Sequence, residues 1–120
     1  MTDAISFDAK QALFEDRWSP KKLASVDGYE IKIAKAEGEF VWHAHEGADE
    51  FFMVTKGCLI IEREGMESVT LNAGEMYVVP KGLRHKPVAA PYAEIMLFER
   101  AGIVNTGDET SELTAMVEEI

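Results

Sequence analysis

The chain has 120 residues, the size of one domain, and folding at that length hides roughly two thirds of the surface an unfolded chain exposes, enough for a core without staples. Its 12 basic and 22 acidic residues give a net charge of −10, which argues against nucleic acid or an anionic membrane as partner, because phosphate recognition needs an excess of Lys and Arg. A single cysteine excludes a disulfide framework and a cysteine-based zinc site, and no apolar run nears the roughly 18 residues of a membrane span.

Residues 1–20 read as an N-terminal segment. They lack the basic start and apolar run of a secretory signal, so the cytoplasm is the expected compartment. A short helix is predicted over 8–17, ended by Trp18-Ser19-Pro20 because the residue before a proline avoids helical angles. Residues 21–107 carry strand signals. Runs 23–26 and 29–33 flank Asp27-Gly28, the pair that a two-residue hairpin turn favours. Further strands are predicted at 40–43, 50–55, 58–63, 68–71, 76–79 and 93–98, separated by Gly47, Gly57, Gly65, Gly74 and Gly82 and by Pro80, Pro87 and Pro91. Short strands so punctuated point to an all-β sandwich or barrel. Residues 108–120 hold five acids and no base, half of the net charge, and read as a solvated acidic tail in which Leu113, Met116 and Val117 form a weak helical turn or docking stripe.

The three histidines are His43, His45 and His85. His43-Ala44-His45 has spacing two, which puts both imidazoles on one face of a strand, about 6–7 Å apart along it. If the loop 46–49 folds back, Glu50 lies beside the pair, and His85 follows the turn Pro80-Lys81-Gly82. Three imidazoles and a carboxylate suit a divalent transition ion (Fe, Mn, Zn, Ni, and equally Co or Cu) better than Ca or Mg. His-x-His alone is weak evidence, since paired surface histidines commonly bind nothing.

The surrounding pattern resembles the cupin superfamily. Gly38, His43-Ala44-His45, four residues, Glu50, six residues and Gly57 resemble its first motif. Gly74, five residues, Pro80-Lys81-Gly82, two residues and His85 resemble its second. Gly38 stands one residue closer to His43 than in the family pattern, and Ala89 replaces the family's terminal Asn. The resemblance implies a double-stranded β-helix, a jelly-roll-like barrel with a metal held inside by His43, His45, Glu50 and His85, and a homodimer. It also implies a metal-dependent enzyme acting on a small polar metabolite, of the isomerase, dioxygenase or lyase type. The alternatives are a non-catalytic small-molecule-binding cupin and a barrel whose metal only aids stability.

Phe52, Val54, Ile60 and Val79 are the expected barrel wall around the site. Lys35 shares parity with Tyr29, Ile31 and Ile33 and is a candidate to point inward, though it reads first as a solvated edge lysine; Arg84, beside His85, is a candidate to hold an anionic substrate and reads first as a rim cation. Glu99 shares parity with Ile95 and Leu97 and is a candidate for the cavity, or for a surface pair with Arg100. Tyr77 is expected as a core or rim aromatic. Trp42 faces away from the histidines and, with Phe40 or Phe51, marks a candidate dimer face; the alternative is packing beneath the segment around Phe14 and Trp18. Cys58 and the strand methionines, Met53, Met76 and Met96, are expected as core filler, and Asn105 and Thr106 as a turn or a cap on the barrel mouth.

Overall fold

The computed structural model describes residues 3–120. The Asp27-Gly28 pair takes φ of 48° and 82°, the left-handed angles of a tight hairpin turn, and folds β1 (Lys21–Val26) back onto β2 (Tyr29–Glu39). The remaining strands are β3 (Glu50–Arg63), β4 (Met66–Asn72), β5 (Met76–Val79), β6 (His85–Arg100) and β7 (Glu118–Glu119). Among the described residues they form a seven-stranded sheet in the order β4-β3-β6-β2-β1-β7, with β5 paired to β3. It is antiparallel except where β7 joins β1.

Two of the predicted breaks are bends inside long strands. Runs 50–55 and 58–63 are one strand, and the strand predicted at 93–98 starts at His85 and contains both Pro87 and Pro91. The β3–β6 register shifts between Val54 and Lys56 and again between Gly57 and Leu59, so Pro91 falls where Leu59 pairs with Ala89 and Gly57 with Ala93. A proline is tolerated at such a bulge because the ladder is already interrupted there.

The same bulge corrects the expected wall. A bulge moves every following side chain to the opposite face. Phe52 and Val54 point inward before it, and Leu59 and Ile61, both 0% exposed, point inward after it, so Ile60 is displaced to the outer side. Gly57 is the residue that permits the close approach: its φ is +84°, and a Cβ there would lie 2.1 Å from the carbonyl oxygen of Tyr92. The methionines are likewise outside rather than core filler. Met53 pairs with Met76 and Met96, on the parity opposite to Phe52 and Val54, and Met76 is exposed.

The predicted helix shrinks to α1 (Phe7–Gln11), capped by the Ser6 hydroxyl, which accepts from Ala9 N. What ends it is Lys35. Far from being a solvated edge lysine, Lys35 is buried and its ammonium donates to the carbonyls of Gln11 and Phe14 while lying 4.4 Å from the Phe14 ring centre. A cation taking these carbonyls does the work of a helix C-cap. The segment then crosses the barrel end, where Trp18 stacks on Phe40 with ring centres 4.7 Å apart. Residues 108–120 form no helix: Leu113 packs against the core, Met116 is exposed, and Glu118–Glu119 pair with β1. No helix among the described residues is long and apolar enough to cross a membrane.

Candidate metal centre

Residues 40–43, predicted as a strand, make only a single bridge to β6. His43 N donates to His85 O and His85 N to His43 O, each at 2.9 Å. This exchange sets the two residues directly opposite and brings their rings to 4.3 Å between centres. His45 is held from the other side, its carbonyl accepting from Gly82 N at 2.9 Å. Glu50 opens β3 on the inward parity of Phe52 and Val54, so the loop 46–49 returns the carboxylate beneath the imidazoles.

The structure brings His43, His45, Glu50 and His85 together, all buried, with one potential ligand atom from each lying within 4.8 Å of the others. Two donor atoms around one ion, with bonds of about 2.1 Å, sit up to roughly 4 Å apart, so the cluster is of the right size. The tautomers point the same way. His43 Nδ1 lies 2.8 Å from Val41 O and His85 Nδ1 lies 2.9 Å from Leu83 O. A carbonyl only accepts, so each Nδ1 carries the proton and each Nε2 presents a lone pair inward. Nε2 of His85 then faces Glu50 Oε1 at 3.2 Å, acceptor to acceptor, and needs a cation or a proton between. His43 Nε2 and His45 Nε2 are buried without a hydrogen-bond partner; the latter lies 3.1 Å from Glu50 Oε1 but off the line of a hydrogen bond. Orphaned buried nitrogens around a buried carboxylate fit a divalent ion.

The electrostatics act differently on each donor. Burial, helped by the neighbouring His85, pushes the His43 pKa down to about 4, keeping the imidazole in its neutral, ligating form. Burial works against charge on His45 as well, but the Glu50 carboxylate outweighs it and the pKa rises. For Glu50, burial would raise the pKa, and the His45 and His85 imidazoles overcome it when a proton lies between ring and carboxylate, holding the carboxyl at about 2.

A partly open cavity leads away from His43 and Glu50, with about 30 Å³ accessible to the centre of a water-sized sphere. Its walls are chiefly apolar, with Trp18, Phe40, Phe52, Ile95 and Leu97, and its other polar groups are Glu99 and Asn105. Glu99 points into this chamber rather than to a surface pair with Arg100, and binds buried Lys32 at 3.0 Å. Lys32 is a residue the sequence reading passed over. The available signal was its parity with Ala34 and Ala36 on the strand pairing with β6, where Glu99 alternates with Leu97 and Ile95.

Asn105 is a latch and not a plain turn. Its amide donates to Trp18 O at 2.9 Å and Leu113 O at 2.8 Å, and its carbonyl accepts from Ala115 N at 2.9 Å. Thr106 beside it is wholly buried. Phe40 is spent inside against Trp18, and Trp42 is half-buried with the Lys86 ammonium 5.8 Å from its ring centre. Arg84 stays at the rim, bound to Glu109 and Glu64, and Tyr77 packs partly buried on the core with its hydroxyl accepting from Arg63.

A cupin domain model matches residues 29–98. A cupin-2 domain protein of Shewanella frigidimarina is 47% identical, over 80% of this chain and 93% of that one, with a TM-score of 0.78. Protein NMB1881 of Neisseria meningitidis is 25% identical, over 82% and 100% of the two chains, with a TM-score of 0.75. The YdbB protein of Bacillus subtilis is 33% identical over 64 residues, which span 53% of this chain and 57% of its own length. With its fold, its glycine-bounded histidine motifs and a family match over most of the strand-forming region, the chain belongs to the cupin-domain family.

Proposed function

We propose that this protein is a metal-dependent enzyme acting on a small polar metabolite, of the isomerase, dioxygenase or lyase type, with His43, His45, Glu50 and His85 as ligands of a divalent transition ion. The observation that carries the reading is the buried convergence of these four donors, with Nε2 of His43 and of His45 unpartnered, beside a cavity. A bound ion of this class polarises a carbonyl or hydroxyl oxygen and lowers the pKa of a coordinated water. The chain's own residues do the rest: the Val41 and Leu83 carbonyls orient two imidazoles, and Trp18, Phe40, Phe52 and Leu97 keep bulk water away.

A sugar phosphate is disfavoured as substrate, since no Lys or Arg lines the cavity and, of the three cations near the rim, Arg84 is bound to Glu64 and Glu109 and Lys86 to Glu39 and Glu62, which leaves Lys81 alone to meet a phosphate. The small cavity volume favours a second reading, small-molecule binding without turnover. The homodimer we propose sits on the outer row Val78–Phe51–Phe98–Ile31, which is continuous across four strands, so Phe51→Asp turns a dimer into a monomer in sedimentation.

The test is metal analysis of protein purified without added metal, followed by a screen of polar metabolites on the iron and manganese forms, under air and under nitrogen. Metal content unchanged in the His43→Ala/His85→Ala variant defeats the ligand assignment. Substrate-dependent oxygen uptake or product formation removes the binding-only reading; binding to the loaded protein with no turnover of any bound compound removes the enzyme.

A further inference from the structure

The four-residue cluster leaves unexplained a second buried carboxylate in the same chamber. Phe51 pairs with Phe98 and Phe52 with Leu97, so the β3–β6 register continued by one residue sets Glu99 opposite Glu50. Cross-strand neighbours of one face lie about 5 Å apart at Cβ, and like charges there are unfavourable. Glu99 is 3% exposed, and its two oxygens differ. One binds Lys32, which is 1% exposed and also lies 3.5 Å from Glu30. The other, Oε2, is buried with no hydrogen-bond partner among the described residues, and Glu99 lines the cavity together with Ile95, Leu97 and Phe52. A lone buried carboxylate oxygen against apolar walls is costly unless something in the chamber donates to it.

We propose that Glu99, anchored by Lys32, is a specificity-determining residue whose Oε2 accepts a hydrogen bond from the hydroxyl or N–H group of a small uncharged ligand lying over the His43–Glu50 end of the chamber. The proposal deepens the reading of this chamber as a ligand site and does not depend on which ion it holds. The chemistry selects against anions. Two carboxylates face the space, no lysine or arginine lines it, and the Lys32 ammonium bound to Glu99 is already shared with Glu30. It also selects for compactness, given the chamber's volume and its aromatic closure by Trp18 and Phe40. The ligand class is thus a small hydroxy- or amino-carbonyl compound rather than a carboxylate or phosphate ester.

Hydroxyacetone and butanone are near-isosteric probes that differ in one O–H donor, and pyruvate supplies the anion. Each is titrated into metal-loaded and into chelator-stripped protein, followed by the indole N–H resonance of Trp18, which lines the chamber. At about pH 8.5, where the Glu99 carboxyl is ionised, a charge-assisted hydrogen bond predicts that hydroxyacetone binds about tenfold more tightly than butanone. The double variant Lys32→Met/Glu99→Met replaces a buried ion pair by apolar groups of similar length, an exchange that commonly preserves folding. In it the ratio falls to about one while metal content stays that of the wild type. Should this variant not fold, Glu99→Gln, a neutral and weaker acceptor, brings the ratio down to roughly threefold. Equal affinities in the wild type, no response to hydroxyacetone at the highest concentration the fold tolerates, preferential binding of pyruvate to stripped protein, or a preference undiminished in the variants overturns the proposal. A tenfold preference in wild-type protein that takes up no divalent ion when offered one sinks the metal reading instead and leaves this one standing.

Discussion

Gly57 is the most direct test of how the fold builds the site. Ala at any left-handed position costs about 1–2 kcal/mol in backbone energy. Gly65 lies in that region with φ +74° and nothing within 4 Å of an added Cβ, so Gly65→Ala incurs only this cost. Gly57, at φ +84°, adds a collision: the new Cβ meets Tyr92 O at 2.1 Å and the Ala93 Cα at 3.0 Å, both backbone atoms that cannot rotate away. Relief requires β3 and β6 to part locally by about 1 Å, weakening one or two ladder hydrogen bonds at roughly 1 kcal/mol each. The expected total is about 2–4 kcal/mol, a large share of the 5–15 kcal/mol typical of a domain. Urea denaturation followed by tryptophan fluorescence should show the Gly57→Ala midpoint falling by about 1–2 M if m is about 2 kcal/mol/M, and Gly65→Ala falling by about half as much. Because Glu50 and Leu59 lie on opposite sides of this bulge, metal content should fall in Gly57→Ala and hold in Gly65→Ala. Equal losses in the two variants would refute the account of the bulge.

The remaining expectations concern the chamber and its closure. Loading with the cognate ion at about 1,000 times its Kd raises unfolding free energy by about 4 kcal/mol, and His85→Ala abolishes that increment in calorimetry. Glu99 has its pKa raised to about 7, by burial first and by the Glu50 charge second, against the ordinary 4.5. A carboxyl raised on folding makes the folded state the better proton binder, so stability is fullest below about pH 4.5 and declines as pH rises to 7. The decline is worth up to about 3 kcal/mol and is lost in Glu99→Gln; a metal-free wild type with no extra downward slope over that window, relative to the variant, contradicts it. Asn105→Ala breaks three hydrogen bonds and costs about 2–3 kcal/mol, and amide exchange quickens at Ala115 and at Trp18 before the sheet opens; uniform quickening across β3 and β6 argues against a latch.

The sequence by itself determined the all-β architecture, because glycines, prolines and Asp27-Gly28 punctuate short apolar runs, and it singled out His43, His45, Glu50 and His85, whose chemical types and spacing are written along the chain. Even there the local prediction was imperfect: 40–43 is not a strand, and the histidines meet through one bridge to β6. Tertiary structure decided what alternation cannot encode. The Gly57 bulge reversed parity along β3, exchanging Ile60 for Leu59 and Ile61, since a bulge appears only when a second strand is laid against the first. Burial of Lys35 and Lys32 was hidden for a related reason: a lysine is costly to bury alone, and its partners came from residues remote in the chain, the Gln11 and Phe14 carbonyls for one and Glu99 for the other. The closing of the chamber by Trp18 and Asn105 joins segments 87 residues apart, a contact of chain ends that no local pattern contains.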